Sequence, residues 1–170
     1  WHIMKIYAEQ GFNEFIITLG YKGEVIKRFF WEQQAFNGSI TIDLAKRQVF
    51  PHNPSLGDWR IHLVETGSET LTGGRLLQVS NLLEEEPFML TYGDGVADID
   101  LKALLKFHKS HGKLATVTAV RPPARFGGLS FSSNGQVKNF IEKPQIGEGW
   151  INGGFLVMER GIFDYLKGDQ

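Results

Sequence analysis

Residues 87–100 read Pro87-Phe-Met-Leu-Thr-Tyr-Gly-Asp-Gly-Val-Ala-Asp-Ile-Asp100. The apolar run at the start of this stretch has the length and composition of a buried β-strand, and it ends at Gly93. A helix is expected after Asp100, because apolar residues repeat at helical spacing from Leu101 onward and aspartate is a favoured N-cap. Asp94 is therefore expected at the carboxyl end of a strand, the edge at which open α/β sheets bind their ligands.

The carboxylate of Asp94 permits two interpretations. The glycines on either side would let a ligand approach closely, and a carboxylate at this place suits a hard divalent cation that carries phosphates. The alternative is a solvated turn, since aspartate and glycine are both common turn residues. The stretch alone leaves both interpretations open.

Composition excludes several classes of protein. The chain has 170 residues, 42% hydrophobic and 22% charged, which is typical of one globular domain rather than of a disordered or membrane-spanning chain. Its net charge of −1 gives no electrostatic reason to expect nucleic acid as a partner. It contains no cysteine, which excludes disulfides and thiolate metal sites. We expect a single cytoplasmic domain over residues 1–170, and we interpret both chain ends as interior points of a longer protein.

The order of the predicted elements indicates the fold class. Strand–helix units at residues 14–31 and 88–111 are typical of βαβ construction with a largely parallel sheet. Short antiparallel strands are expected between these units, at residues 39–44, 47–50 and 60–65. The second half is rich in strand patterns, with Asn134-Gly135 as a hairpin turn and a further strand over residues 150–158. These patterns predict an α/β protein.

Four further stretches carry groups that could bind a ligand. Thr70-Leu-Thr-Gly-Gly-Arg-Leu76 places two glycines and an arginine at the start of a helix expected over residues 72–83, where amides could receive a base edge or an anion. Phe126-Gly-Gly128 would let a sugar ring approach the backbone. Glu142-Lys143 offers a carboxylate for sugar hydroxyls and an ammonium for phosphate. Ile151-Asn-Gly-Gly-Phe155 places an amide at the opening of a strand. The first two stretches alone are better explained as an ordinary loop and turn, and each of the four is a weak signal by itself.

The order of these motifs resembles that of the sugar nucleotidyltransferases. The stretches that carry the resemblance cover nearly the whole chain: Trp1-His-Ile-Met-Lys-Ile-Tyr7, Gly20-Tyr-Lys-Gly23, Thr66-Gly67, Thr72-Gly-Gly-Arg-Leu76, Tyr92-Gly-Asp-Gly-Val96, Phe107–Thr118, Arg125-Phe-Gly127, Glu142-Lys-Pro144 and Trp150-Ile-Asn-Gly-Gly-Phe155. The Thr-Gly-Gly-Arg and Gly-Asp-Gly forms are similar to those of the cytidylyl branch of this family.

The resemblance implies a fold and a reaction. The fold is a Rossmann-like mixed, mostly parallel sheet flanked by helices, of the nucleotide-diphospho-sugar transferase type, incomplete at both ends of this chain. The reaction is transfer of a cytidylyl group from CTP to α-D-glucose 1-phosphate, giving CDP-glucose and pyrophosphate, with Mg²⁺ as the cofactor. Such chemistry depends mainly on positioning and charge stabilisation. The family also implies a homo-oligomer, which is a hexamer among its cytidylyl members.

The resemblance also implies roles for particular residues. These are Asp94 for Mg²⁺, Thr72, Gly73 and Gly74 for the nucleotide base, Gly127, Glu142 and Asn152 for glucose, and Lys143 for the phosphate of the sugar. Asp94 and Lys143 would be the catalytic residues, and Arg75 has no assigned contact. The family's Gly-rich loop, which grips the triphosphate, is expected before Trp1, and its second metal-binding aspartate is expected after Gln170. We therefore expect the chain to be inactive by itself.

Two alternatives of the same fold stay open. One is a thymidylyl or uridylyl transferase, and the other is a non-catalytic regulatory subunit, since a fold alone does not grant activity. The intact Asp94, Glu142 and Lys143 argue against the regulatory subunit. A dinucleotide-binding dehydrogenase is disfavoured, because its fingerprint requires a third glycine where Asp98 stands.

Overall fold

The computed structural model describes residues 1–36, 38–52, 58–83, 87–121, 128–141 and 150–168. The helices in these ranges are α1 (His2–Ala8), α2 (Gly23–Phe36), α3 (Thr72–Gln78) and α4 (Leu101–His111). The strands are β1 (Glu14–Leu19), β2 (Ile40–Asp43), β3 (Gln48–Pro51), β4 (Arg60–Glu65), β5 (Phe88–Thr91), β6 (Ala115–Val120), β7 (Gly128–Phe131), β8 (Val137–Ile141) and β9 (Ile151–Met158). Short 3₁₀-helices follow α3 at Ser80–Leu82 and β9 at Arg160–Tyr165.

The first half of the chain forms a βαβ unit. β1 and β4 pair in parallel, with Glu14 opposite Arg60 and Leu19 opposite Glu65. The connection between them holds α2 and the antiparallel pair β2–β3. The expectation that Arg60–Glu65 is an antiparallel strand is wrong, because a strand that returns to its partner through a helical crossover enters the sheet in the same direction.

The second half contains a three-stranded sheet with β9 at its centre. β9 is antiparallel to both β5 and β6. β5 and β6 therefore run in the same direction, as strands joined by the crossover helix α4 should. Both pairs of this sheet are antiparallel, whereas β1 and β4 pair in parallel, so the fold combines the two kinds of pairing as predicted. The antiparallel share among the described strands exceeds what the βαβ pattern indicates, because β9 is inserted between two strands that run in the same direction. The hairpin predicted at Asn134-Gly135 is confirmed as β7–β8, with Gly135 at a φ of 82°.

A small aromatic core joins α1 and α4 to β9. Tyr7, Leu101 and Phe155 are buried and in contact, and the rings of Tyr7 and Phe155 stack with 6.2 Å between their centroids. Gln10, just beyond α1, donates from Nε2 to the carbonyl of Ile99 (2.9 Å) and accepts the N–H of Leu101 (2.7 Å). The end of α1 therefore fixes the point at which α4 begins.

The hydroxyl of Tyr7 is a buried polar group inside this core. It has no hydrogen-bond partner among the described residues. Burial raises the pKa of Tyr7 to about 12, and the neighbouring Thr91 side chain offsets only part of that rise. A buried hydroxyl without a partner lowers the stability of the fold.

A directional chain of hydrogen bonds ties α4 to β6 and to the end of β9. The N–H of Lys113 donates to Nδ1 of His111 (3.0 Å), so neutral His111 carries its proton on Nε2 and donates it to Oγ1 of Thr116 (2.7 Å). Thr116 then donates to Nδ1 of the fully buried His108 (2.8 Å). This leaves Nε2–H of His108 facing Oε1 of Glu159 at 3.1 Å. Every donor in the chain meets an acceptor, so its role is structural.

Helix α4 begins where the sequence predicts. The carboxylate of Asp100 accepts the N–H of Ala103 at 2.8 Å, which is the expected N-cap bond. Gly112 follows the helix in the left-handed conformation, with a φ of 63°. Both ends of α4 are therefore fixed by local signals. No helix among the described residues is long and apolar enough to cross a membrane.

Candidate active site

The ends of two strands and the start of a helix meet around one cavity of about 170 Å³. β1 contributes Thr18, and the start of α3, which follows β4, contributes Thr72 and Arg75. β5 and the turn after it contribute residues 90–93. β1 and β5 thus lead to this cavity with their carboxyl ends, the edge at which α/β sheets bind ligands, and β4 is connected to it through α3.

Asp94 is exposed on the turn that follows β5, directly after the cavity residue Gly93. A Cβ atom added to Gly93 or Gly95 would have no heavy atom within 4 Å. Within the part of the chain that the structure describes, the carboxylate of Asp94 has no hydrogen-bond or ion-pair partner. The turn therefore presents a free carboxylate with open space on both sides.

The donor set at this turn fits Mg²⁺ bound together with a substrate. Across the described ranges, no group of three or more histidine, aspartate or glutamate side chains could hold a metal ion by itself. Mg²⁺ is commonly held by one or two carboxylates together with substrate phosphates and water. The exposed carboxylate of Asp94 beside an open cavity can supply one protein ligand of such a site.

The predicted nucleotide-binding stretch, Thr72 to Gly74, forms the first turn of α3. Thr72 is exposed and lines the cavity, whereas Gly73 and Gly74 are buried. The helix predicted over residues 72–83 is shorter than expected. It ends at Gln78, because the backbone at Val79 (φ −102°, ψ 5°) leaves α-helical geometry, and a 3₁₀-helix follows.

Arg75, which has no predicted contact, holds the loop before α3. Its Nε donates to the carbonyl of Thr70 (2.8 Å) and its Nη1 donates to Oγ1 of Thr66 (2.7 Å). A Cβ atom on Gly20 would lie 2.5 Å from Nη2, so the guanidinium packs directly on this glycine. Thr66 in turn donates to the carbonyl of Leu19 from its N–H and its hydroxyl, each at 2.9 Å. Arg75 therefore joins the ends of β1 and β4 beside the cavity.

Asn152, the predicted sugar ligand at the start of β9, contacts the residue that precedes the Gly93–Asp94 turn. Its Nδ2 donates to the hydroxyl of Tyr92 (3.2 Å), and its Oδ1 accepts the N–H of Gly154 (2.9 Å). Tyr92 has no predicted role, although its place in the Tyr92-Gly-Asp-Gly motif is a signal that could have indicated one.

Tyr92 is the point around which the described site residues gather. It lines the cavity together with Thr72, contacts Asn152, and lies two positions before Asp94 in the chain. The other predicted site residues, Gly127, Glu142 and Lys143, lie outside the described residues.

Curated proteins similar to this chain include glucose-1-phosphate cytidylyltransferases from two bacteria. The chain is 45% identical over 170 residues to the glucose-1-phosphate cytidylyltransferase of Salmonella typhi, covering 99% of this chain and 66% of that protein. It is also 45% identical, over 172 residues, to the probable glucose-1-phosphate cytidylyltransferase of Bacillus subtilis, covering 99% of this chain and 65% of that protein. The chain thus spans slightly less than two thirds of the length of these relatives.

Solved structures share the fold at low sequence identity. The crystal structure of HddC from Yersinia pseudotuberculosis matches with a TM-score of 0.63 at 20% identity, over 98% of this chain and 65% of that one. The crystal structure of apo-UDP-glucose pyrophosphorylase matches with a TM-score of 0.56 at 13% identity, over 97% of this chain and 66% of that one. These matches confirm the predicted fold class. Because the model of the nucleotidyl transferase family also matches residues 1–170, the chain belongs to that family.

Proposed function

We propose that the complete protein transfers a cytidylyl group from CTP to α-D-glucose 1-phosphate, giving CDP-glucose and pyrophosphate. The observation that carries the proposal is the cavity at which Thr72, Tyr92 and Gly93 meet, beside the exposed carboxylate of Asp94. The 45% identity to curated glucose-1-phosphate cytidylyltransferases supports the choice of nucleotide and sugar phosphate.

The carboxylate of Asp94 supports a role for Mg²⁺. A carboxylate beside a polyphosphate is repulsive unless a cation lies between them. When bound, Mg²⁺ would supply positive charge to the phosphates and help to orient them. Asp94 would hold it, and the open space around Gly93 and Gly95 leaves room for the phosphates.

The remaining residues would position the two substrates. A phosphate oxygen of the sugar phosphate attacks the α-phosphorus of CTP, and the bond from that phosphorus to the leaving pyrophosphate breaks. The protein's contribution is to hold both reactants in line for this displacement. The proposed contacts are Thr72, Gly73 and Gly74 with the base, Gly127, Glu142 and Asn152 with glucose, and Lys143 with the phosphate of the sugar.

Competition among nucleotides tests the proposal. The complete protein is given glucose 1-phosphate, Mg²⁺ and an equimolar mixture of CTP, UTP and dTTP, and the sugar nucleotides formed are separated by chromatography. We expect CDP-glucose as the main product. UDP-glucose or dTDP-glucose as the main product would contradict the choice of nucleotide. No product from any nucleotide, in a folded protein that still binds CTP, would instead favour a non-catalytic regulatory subunit.

A further inference from the structure

We propose that Tyr92 is a positioning residue, which orients the side chain of Asn152 for the sugar phosphate from the turn that leads to Asp94. The inference rests on the proposed function, since it concerns the sugar-phosphate end of the same site. It is carried by the hydrogen bonds of Asn152, by the packing of the Tyr92 ring and by the place of Tyr92 beside the cavity.

The hydrogen bonds of Asn152 fix the direction of its amide. The N–H of Gly154 can only donate, so the atom that it meets at 2.9 Å is Oδ1. Nδ2 therefore faces the hydroxyl of Tyr92 and donates to it at 3.2 Å. One N–H of Nδ2 and one lone pair of Oδ1 remain for a ligand. The hydroxyl of Tyr92 is thus one of the two anchors that set where the free N–H points.

The start of β9 is shaped to receive the ring of Tyr92. Gly154 has a φ of 80°, and a Cβ atom there would lie 3.1 Å from Cδ2 of Tyr92. A Cβ atom on Gly153 would lie 2.9 Å from Oγ1 of Thr118, at the level where the pairing of β6 with β9 is irregular. Both glycines are therefore required by close packing. Gly153 lets β6 approach, and Gly154 lets the ring of Tyr92 lie against the backbone that carries Asn152.

Tyr92 also lies between the two predicted halves of the site. On one side it lines the cavity with Thr72, the predicted base contact. On the other side its hydroxyl reaches Asn152, the predicted sugar contact. The residue is 44% exposed, so a ligand can approach it. A substitution at Tyr92 that keeps the ring should therefore weaken binding of the sugar phosphate and leave binding of the nucleotide unchanged.

Tyr92→Phe, which removes the hydroxyl and keeps the ring, tests the inference in the complete enzyme. We expect the KM for glucose 1-phosphate to rise about three- to tenfold, the scale of one lost neutral hydrogen bond. The KM for CTP, kcat and the melting temperature should stay close to wild type. Tyr165→Phe, an exposed tyrosine on the 3₁₀-helix after β9, is the matched control and should change none of these values. A purely structural defect would instead lower the melting temperature and change the KM for both glucose 1-phosphate and CTP.

A double-mutant cycle tests whether Tyr92 acts through Asn152. Asn152→Ala should raise the KM for glucose 1-phosphate, and adding Tyr92→Phe to it should give no further rise. A further rise of the same size would mean that Tyr92 contacts the substrate directly, which would overturn the positioning role. An unchanged KM in Tyr92→Phe, with normal turnover in the wild type, would overturn only this inference. A wild type that forms no sugar nucleotide from glucose 1-phosphate would overturn the proposed function and this inference with it.

Discussion

Four glycines around the site fall into two groups at the scale of single residues. Gly20 and Gly154 are required by side chains packed against them, since a Cβ atom on either would lie 2.5 Å from Arg75 or 3.1 Å from Tyr92 respectively. Gly93 and Gly95 face open space. The first group therefore serves the fold around the site, whereas the second leaves room for a ligand beside Asp94.

Tyr7→Phe should stabilise the protein, and more strongly at alkaline pH. The substitution removes a buried hydroxyl that lacks a partner among the described residues, so we expect a gain between zero and about 1 kcal/mol near neutral pH. The pKa of Tyr7 is about 12 in the folded chain against 10.0 for the unperturbed group. Between these values the unfolded chain loses its proton first, so wild-type stability falls as pH rises.

Urea unfolding of the wild type and of Tyr7→Phe, at about pH 8 and about pH 11, measures this effect. The difference in unfolding free energy between the two proteins should be larger at the higher pH. Comparing the two proteins cancels the titration of the other tyrosines and of the lysines. A difference that is the same at both pH values would contradict the buried, partnerless state of Tyr7.

At the scale of elements, the sequence predicts best those segments whose ends carry local signals. Asp100 and Gly112 bound α4, and Asn134-Gly135 joins β7 to β8, because caps and turns follow from a few neighbouring residues. The direction of β4 and the insertion of β9 between β5 and β6 depend on partners far away in the chain. Local sequence patterns do not specify which distant strands pair, so neither feature could be predicted from them.

The hydrogen-bond chain through His108 should make the packing of α4 sensitive to one substitution. His108→Leu would remove the partner of Glu159 and the acceptor of the Thr116 hydroxyl inside the protein. We expect the free energy of unfolding to fall by about 2–3 kcal/mol. Lys106→Ala, at an exposed position on the same helix, is the control and should change it by less than about 0.5 kcal/mol.

The proton positions in this series of hydrogen bonds can be measured in the wild-type protein. The directions of the hydrogen bonds place the proton of both His108 and His111 on Nε2, which ¹⁵N chemical shifts of the imidazole nitrogens report. Two results together would show that these hydrogen bonds do not hold α4 in place. One is protonation of His108 and His111 on Nδ1, and the other is equal stability of the His108→Leu and Lys106→Ala variants.

At the scale of the whole molecule, the candidate site is assembled from segments that the sequence separates. The order of the motifs predicts that Asp94, Thr72 and Asn152 are site residues. That all three lie near Tyr92 depends on the fold and cannot be read from that order. Arg75 and Tyr92 could not be assigned contacts from the sequence, because their partners depend on the fold. Thr66 and Gly20 follow β4 and β1 and meet Arg75 on α3, and Asn152 on β9 meets Tyr92. Glu142 and Lys143, which lie outside the described residues, stay predictions from the family resemblance.

Subunit association is also a property of the whole molecule. Trp31 and Phe36 on α2 are 68% and 70% exposed, and Trp31 lines an open groove of about 600 Å³ together with Phe30 and Leu63. We propose, as the family implies, that the complete enzyme is a homo-oligomer, a hexamer, with these aromatic residues among its contacts. Light scattering should give a multi-subunit mass for the wild type and a smaller mass for Trp31→Glu. A monomeric wild type would contradict the proposal.

Asp94 is the residue on which the proposed function depends most. The direct measurement is pyrophosphate release from CTP and glucose 1-phosphate by the complete enzyme as Mg²⁺ is titrated, for the wild type, Asp94→Asn and Asp98→Asn. Asp94→Asn keeps the size of the side chain and removes its charge, so turnover should fall on the order of 10²-fold or more. Melting temperatures should stay equal, because Asp94 is exposed and has no partner among the described residues. Asp98→Asn, exposed on the same loop, should behave as wild type. A folded Asp94→Asn enzyme with the wild-type rate and Mg²⁺ dependence would show that Asp94 is only a turn residue.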